Sequence, residues 1–171
     1  MNIPILGSLE AEPDIPEWLT SDPRGIPFFD GIKLPIVLDS LDEADEKEVE
    51  SAIVAFLLLG PIDRLEASQH VFENYKRMAA MTTEEDLNCQ IESPEAVWQH
   101  VRPAQVFVAR RNRRDCAIYV TIAAECDWER EHGLQIVYRR GQYLTRVSDQ
   151  DGHLTHADAY DVPEDQDRIV S

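Results

Sequence analysis

The sequence predicts a single α+β domain, an antiparallel sheet with helices packed on one face. Three observations point there. The length of 171 residues suits one domain. Helices come first and strands follow as a run, instead of alternating with them. The apolar spacing changes from 3.6 residues to 2 near residue 102. Hydrophobic residues make up 43% and charged residues 29%, too apolar for a largely disordered chain. One domain is expected over residues 1–160. It divides into Pro-rich strands and turns (1–40), helices (41–101) and antiparallel strands (102–148). A frayed acidic tail is expected over 161–171.

Each element has its own warrant. Pro13, Pro16, Pro23, Pro27 and Pro35 remove backbone donors, so residues 1–40 predict short edge strands and no central one. Lys33 to Leu38 reads as a strand entered through the turn pair Asp30-Gly31. Asp45 and Glu48 resemble a capping box for a helix near 46–59, whose apolar residues are Val49, Ala52, Ile53, Phe56 and Leu57. Gly60-Pro61 stops that helix and starts a second, from Pro61 to Met81. Leu65, Phe72 and Ala79 are expected on its buried face, widened by Val71, Tyr75 and Met78. The polar stretch Thr82 to Cys89 breaks it. Ser93 caps a third, short helix, which Pro103 ends. Val106 to Ala109 is a strand. From Cys116 to Trp128, Ile118, Val120, Ile122, Ala124, Cys126 and Trp128 alternate with polar or small residues, as in a half-buried strand. Leu134 to Arg139 and Gln142 to Val147 form a hairpin across Arg140-Gly141.

The net charge of −17 excludes several functions. It repels phosphate backbones and anionic lipid, so neither nucleic acid nor a membrane surface is an expected partner. A basic protein is the complement. Acids dominate everywhere except residues 101–148, which hold Arg102, Arg110, Arg111, Arg113 and Arg114. Arg110, Arg111, Arg113 and Arg114 could together bind an anion, but with acids in excess elsewhere they are expected to pair within the chain or to form a solvated turn. No apolar run reaches the roughly 20 residues of a membrane helix, and the N-terminus has no secretion signal. Three cysteines, an odd number, predict free thiols and a cytoplasmic location.

Chemistry has few places to sit. Standard nucleophile, nucleotide and zinc motifs are missing, so no metal and no cofactor is expected. If the protein is an enzyme, its catalytic candidates are Glu129, Glu131, His132, Asp151 and His153. They lie in the loops 127–133 and 149–158, which the hairpin could bring to one end of the sheet. They would serve as an acid/base pair or as ligands of a metal. The structural reading makes these residues turn formers, with His132 holding the connection before Gly133. If the protein is a binder, Trp18 is the exposed aromatic anchor, and Asp39, Asp42, Glu43, Asp45 and Glu46 meet the basic partner.

The string Cys126-Asp127-Trp128-Glu129-Arg130-Glu131-His132-Gly133, followed by Asp151-Gly152-His153-Leu154-Thr155, resembles a family of uncharacterised bacterial proteins classed as a domain of unknown function. The likeness runs from about Trp18 to Tyr160. It implies a bacterial, intracellular, stand-alone domain and carries no catalytic residue or cofactor. Size and acidity are also similar to those of immunity proteins that neutralise toxins. The sequence therefore favours a non-enzymatic protein-binding module, an immunity-type inhibitor of a basic toxin. The alternative is a small metal-dependent or acid/base hydrolase.

Overall fold

The computed structural model describes residues 1–81 and 89–170. The polar break expected at Thr82 to Cys89 falls outside them except for Cys89. The strands are β1 (Leu9–Ala11), β2 (Trp18–Ser21), β3 (Arg24–Ile26), β4 (Ile32–Leu34), β5 (Ile36–Asp39), β6 (Val101–Arg110), β7 (Ile118–Cys126), β8 (Leu134–Arg139) and β9 (Tyr143–Ser148). The α-helices are α1 (Glu46–Leu57), α2 (Pro61–Met81) and α3 (His156–Ala159). Seven strands form one sheet in the order β1-β2-β5-β6-β7-β8-β9, and β3 pairs with β4 separately. Every pair is antiparallel except β5 with β6, which runs parallel. The α+β class and the mainly antiparallel sheet thus agree with the sequence.

The N-terminal strands depart from expectation in one respect. Pro35 splits the single strand predicted over 33–38 into β4 and β5. β1 and β2 do occupy an edge, but β5 lies inside the sheet, pairing with β2 on one side and β6 on the other. Pro35 stands just before β5, where its missing N–H is tolerated, and its carbonyl still accepts from Val106 N at 3.0 Å. Pro103 likewise sits inside β6 instead of ending a helix. β5 pairs only with residues 106–109 of β6, so no neighbour needs the donor that Pro103 lacks. The register shifts between Pro103 and Gln105.

Alternation sets the two faces of the sheet. Ile36, Val106, Ile122, Ile136 and Val147 form one row of cross-strand neighbours, and Leu38, Val108, Val120 and Tyr138 form the next. All are buried, and α1 covers them with Val49, Ala52, Ile53 and Phe56. The capping box lies one turn earlier than the sequence suggested, between Asp42 and Asp45 on the 3-10 turn Glu43–Asp45. Glu48 is drawn away to Arg110, at 2.7 Å. Ser93 starts a 3-10 helix, Pro94–His100, without a side-chain cap bond.

α2 has the expected ends, and five of the six residues expected on its inward stripe lie there: Val71 and Tyr75 are buried, and Phe72, Met78 and Ala79 pack against the core. Ala67, Ser68, Val71, Asn74 and Tyr75 are buried, whereas Leu65 is 57% exposed. The reason is polar. Trp98 donates its indole N–H to Ser68 Oγ at 2.8 Å, and Trp128 donates to Asn74 Oδ1 at 3.0 Å. The buried indole of Trp128 and the half-buried one of Trp98 need acceptors, and α2 supplies both.

The second face of the sheet is partly covered by the chain after β9. Leu154 packs on Ala117, Tyr119 and Val137, so β7 is buried on both faces instead of half-buried. The acidic segment expected to fray returns to the sheet. Val147 N donates to Ile169 O at 2.6 Å, and Val147 bridges Val170 in parallel. Arg111, only 3% exposed, anchors this return. Its guanidinium grips Asp158 at 2.7 and 2.8 Å, Glu164 at 2.7 Å and Thr155 Oγ1 at 3.0 Å.

These pairs give stability a defined acid limit. Burial alone would raise the Asp158 carboxyl, but the Arg111 hydrogen bonds and charge outweigh it and hold it below the usual carboxylate range. Arg111 lowers Glu164 as well. Asp127 is lowered by Arg102 and His100. Folded values below unfolded ones stabilise the fold above the unfolded pKa, near 3.9–4.3, and that contribution is lost as pH falls through the folded values. Thermal melting is expected to be flat from neutrality to about pH 5 and to fall progressively below about pH 4. Arg111→Ala should cost about 2–3 kcal/mol at neutral pH, less than a fully buried pair because water reaches Glu164. It should also flatten the acid limb. An acid limb of unchanged steepness in the variant would show that Arg111 is not the linked group.

Candidate functional site

The uncovered part of the second face is a trough built from cross-strand neighbours. Trp18, Asp39 and Ala109 form one row, and Val37, Phe107 and Thr121 the next. Ala123 and Gln135 form a third. Three adjoining hollows follow this face. The middle one, about 280 Å³, is lined by Trp18, Asp39, Phe107, Ala109, Thr121, Ala123, Gln135, Gln150, Gly152 and Leu154. It shares Asp39, Ala109, Gly152 and Leu154 with an arginine-rich hollow of about 400 Å³. It shares Gln150 with a hollow of about 590 Å³ at the 127–133 loop.

The arginine-rich hollow is neutralised from within, as the sequence reading expected. Arg110 pairs with Asp45 and Glu48, each at 2.7 Å. Arg114 reaches Glu164 at 2.9 Å and Asp158 at 3.3 Å. Arg113 is exposed and makes no ion pair among the described residues. The anion-binding set implied by four clustered arginines is therefore largely spent on the fold.

The third hollow holds Glu129, Glu131 and His132. Glu129 Oε1 accepts from Glu131 N at 2.9 Å and His132 N at 3.1 Å, so this carboxylate closes the turn. His132 does not hold the connection, as the structural reading supposed. Its side chain is 58% exposed and lies 3.4 Å from Glu129 Oε1. Cys126 also lines this hollow, but burial pushes its thiol up to about 12, so it is no ready nucleophile.

The five catalytic candidates are divided. Asp151 is bound to the buried Arg146, at 2.9 and 2.6 Å. His153 lines the arginine-rich hollow, away from His132. The two loops do meet, but through Gln150, whose Nε2 donates to Ala124 O at 3.0 Å beside Gly133. No group of three or more His, Cys, Asp or Glu is placed to hold a metal ion among the described residues.

One pair escaped the sequence reading. His100 Nδ1 lies 2.9 Å from Asp127 Oδ2, and Arg102 Nη1 lies 2.7 Å from Asp127 Oδ1. His100 and Asp127 flank the cross-strand pair Val101 and Cys126. The only available signal was that register, which needs β6 to begin at Val101, not Val106.

The candidate binding residues have mixed fates. Asp42 and Asp45 cap the 3-10 turn, and Asp45 also holds Arg110. Glu46 Oε1 accepts from Asn2 N at 2.5 Å. Glu43 is exposed. Trp18 and Asp39 face each other across β2 and β5. The Trp18 indole donates to Asp39 Oδ1 at 3.0 Å and stands edge-on to Phe107 at 5.3 Å.

Fold and site together define a one-domain α+β protein with a trough across the sheet face its helices leave uncovered. Residues 5–154 match the family described as Domain of unknown function (DUF6985), and the chain belongs to that family. No curated protein and no solved structure matches it. No helix among the described residues is long and apolar enough to cross a membrane.

Proposed function

We propose that this is a non-enzymatic protein-binding module of the bacterial cytoplasm that captures a basic protein, in the manner of an immunity protein neutralising a cationic toxin. The observation that carries this reading is the fate of the arginines. Arg64, Arg102, Arg110, Arg111, Arg114, Arg139 and Arg146 are committed to carboxylates of the same chain. The net charge of −17 remains after every base is counted, and it favours a cationic partner. Asp39, on the trough, has no basic partner among the described residues and keeps an aromatic neighbour. Three free cysteines agree with a reducing compartment. The hydrolase alternative needs His132, His153 and their carboxylates at one point, and they line separate hollows.

The test is kinetic. Association with a purified cationic protein partner should slow about tenfold or more as ionic strength rises from tens to hundreds of millimolar, with dissociation changing far less. An association rate that ignores salt would remove the electrostatic basis of the proposal.

A further inference from the structure

The middle hollow of the trough combines features that the arginine-rich and loop hollows lack. Trp18 and Phe107 meet at an interplanar angle of 66°, giving two rings set steeply to one another at one end. Asp39 sits beside them, half-buried. Its Oδ1 accepts from Trp18 Nε1 and from Ser40 Oγ, at 3.0 and 2.9 Å, both neutral donors. Its Oδ2 accepts from no donor among the described residues. Of the arginines that line the adjoining hollow, Arg110, Arg111 and Arg114 are held by other carboxylates, and the exposed Arg113 makes no ion pair, with Asp39 or any other acid, among the described residues. The floor between is small and apolar, Ala109 and Ala123, with Thr121, Gln135 and Gln150 as the neutral polar groups.

We propose that this hollow is the receptor for a lysine or arginine side chain of the basic partner, its stem lying on Trp18 and Phe107 and its charged head on Asp39. The inference rests on the binding-module reading and names the place and chemistry of its contact. An uncharged apolar group filling the hollow would desolvate the Asp39 carboxylate without pairing it, which is costly. An anion would meet that carboxylate directly. A cation gains the ring faces, the free oxygen and the field of the whole protein at once. A side chain of a larger molecule suits the site better than a free small cation. The hollow opens lengthwise into its two neighbours, which leaves room for flanking residues of the partner.

The experiment follows the indole N–H resonances of Trp18, Trp98 and Trp128 while two blocked tripeptides, Gly-Arg-Gly and Gly-citrulline-Gly, are titrated into the full chain. Citrulline keeps the shape of arginine and removes its charge. The arginine peptide should move the Trp18 signal saturably, leaving Trp98 and Trp128 in place on Ser68 and Asn74. The citrulline peptide should bind weaker by about tenfold or more. Asp39→Asn retains an acceptor for the Trp18 indole and removes only the charge. It should lose the arginine preference with an unchanged melting curve. Equal binding of the two peptides by the wild-type chain would overturn the cation site, as would arginine-dependent shifts confined to the 127–133 loop. A chain that binds a cationic protein but shows no Trp18 response would retain the binding-module reading and lose this hollow. A chain that binds neither loses both.

Discussion

Ile122→Asp is expected to abolish folding. Ile122 has no exposed surface and sits between Val106 and Ile136 in the middle of the sheet, on the face that α1 covers. The substitution removes a fully buried aliphatic side chain, a loss of roughly 2–5 kcal/mol. It also places a carboxylate where no base can reach it, adding several kcal/mol whether the group stays charged or takes up a proton. Together these rival the roughly 5–15 kcal/mol that holds an ordinary domain. Circular dichroism should show no cooperative melt. The neighbouring Thr121→Asp faces the trough instead and should keep one. A cooperative Ile122→Asp melt at the wild-type temperature would mean the faces of β7 are assigned the wrong way round.

Gly141→Ala should be the next most damaging. Arg140 and Gly141 have φ of 53° and 72°, two left-handed residues in the three-residue connection 140–142 between Arg139 and Tyr143. Gly141 is also where the β8–β9 turn touches α1. A Cβ there would overlap the Ala52 carbonyl oxygen and stand 2.9 Å from Ala52 C and 3.0 Å from Phe56 N. These are backbone atoms of a helix, so no rotamer change relieves the overlap. Either the hairpin or α1 must move, opening the core around Phe56 and Tyr138. Gly152 provides the control. Its φ is 77°, but a Cβ there meets nothing within 4 Å. Gly152→Ala should cost only the conformational strain, about 1–2 kcal/mol, and Gly141→Ala at least about twice that. Equal losses in thermal melting would show that the helix contact adds nothing.

What the sequence made legible follows the range of the interactions involved. Local signals worked. Gly60-Pro61 marked the boundary between α1 and α2, and Arg140-Gly141 marked the hairpin, because each effect acts within a few residues. β8 ends where its composition says it should. The inward face of α2 was legible only in part: Val71, Phe72 and Tyr75 lie against the core, but its polar members were not foreseen. Hydrophobicity points to Leu65, whereas the fold selects Ser68 and Asn74 for two tryptophans 30 and 54 residues away in sequence. The parallel β5–β6 pair joins strands separated by two helices, and no periodicity records it. The C-terminal segment reads as a solvated tail because its acids are visible and the partner of Glu164, the buried Arg111, lies 53 residues earlier. For the site, Trp18 and Asp39 were recognisable as residue types. Their opposition across β2 and β5, and the arrival of Phe107 beside them, depend on register.

The measurement that bears most directly on the account is hydrogen–deuterium exchange of the chain, free and saturated with a cationic protein that it retains at low salt. The binding-module reading predicts new protection centred on the trough, in residues 18–20, 37–39 and 107–109. It predicts little change on the outer surface of α1, α2 and their connection, where Leu58, Ile62 and Leu65 are exposed. Protection confined to that helical surface or to the 127–133 loop would contradict it, as would failure to retain any cationic protein.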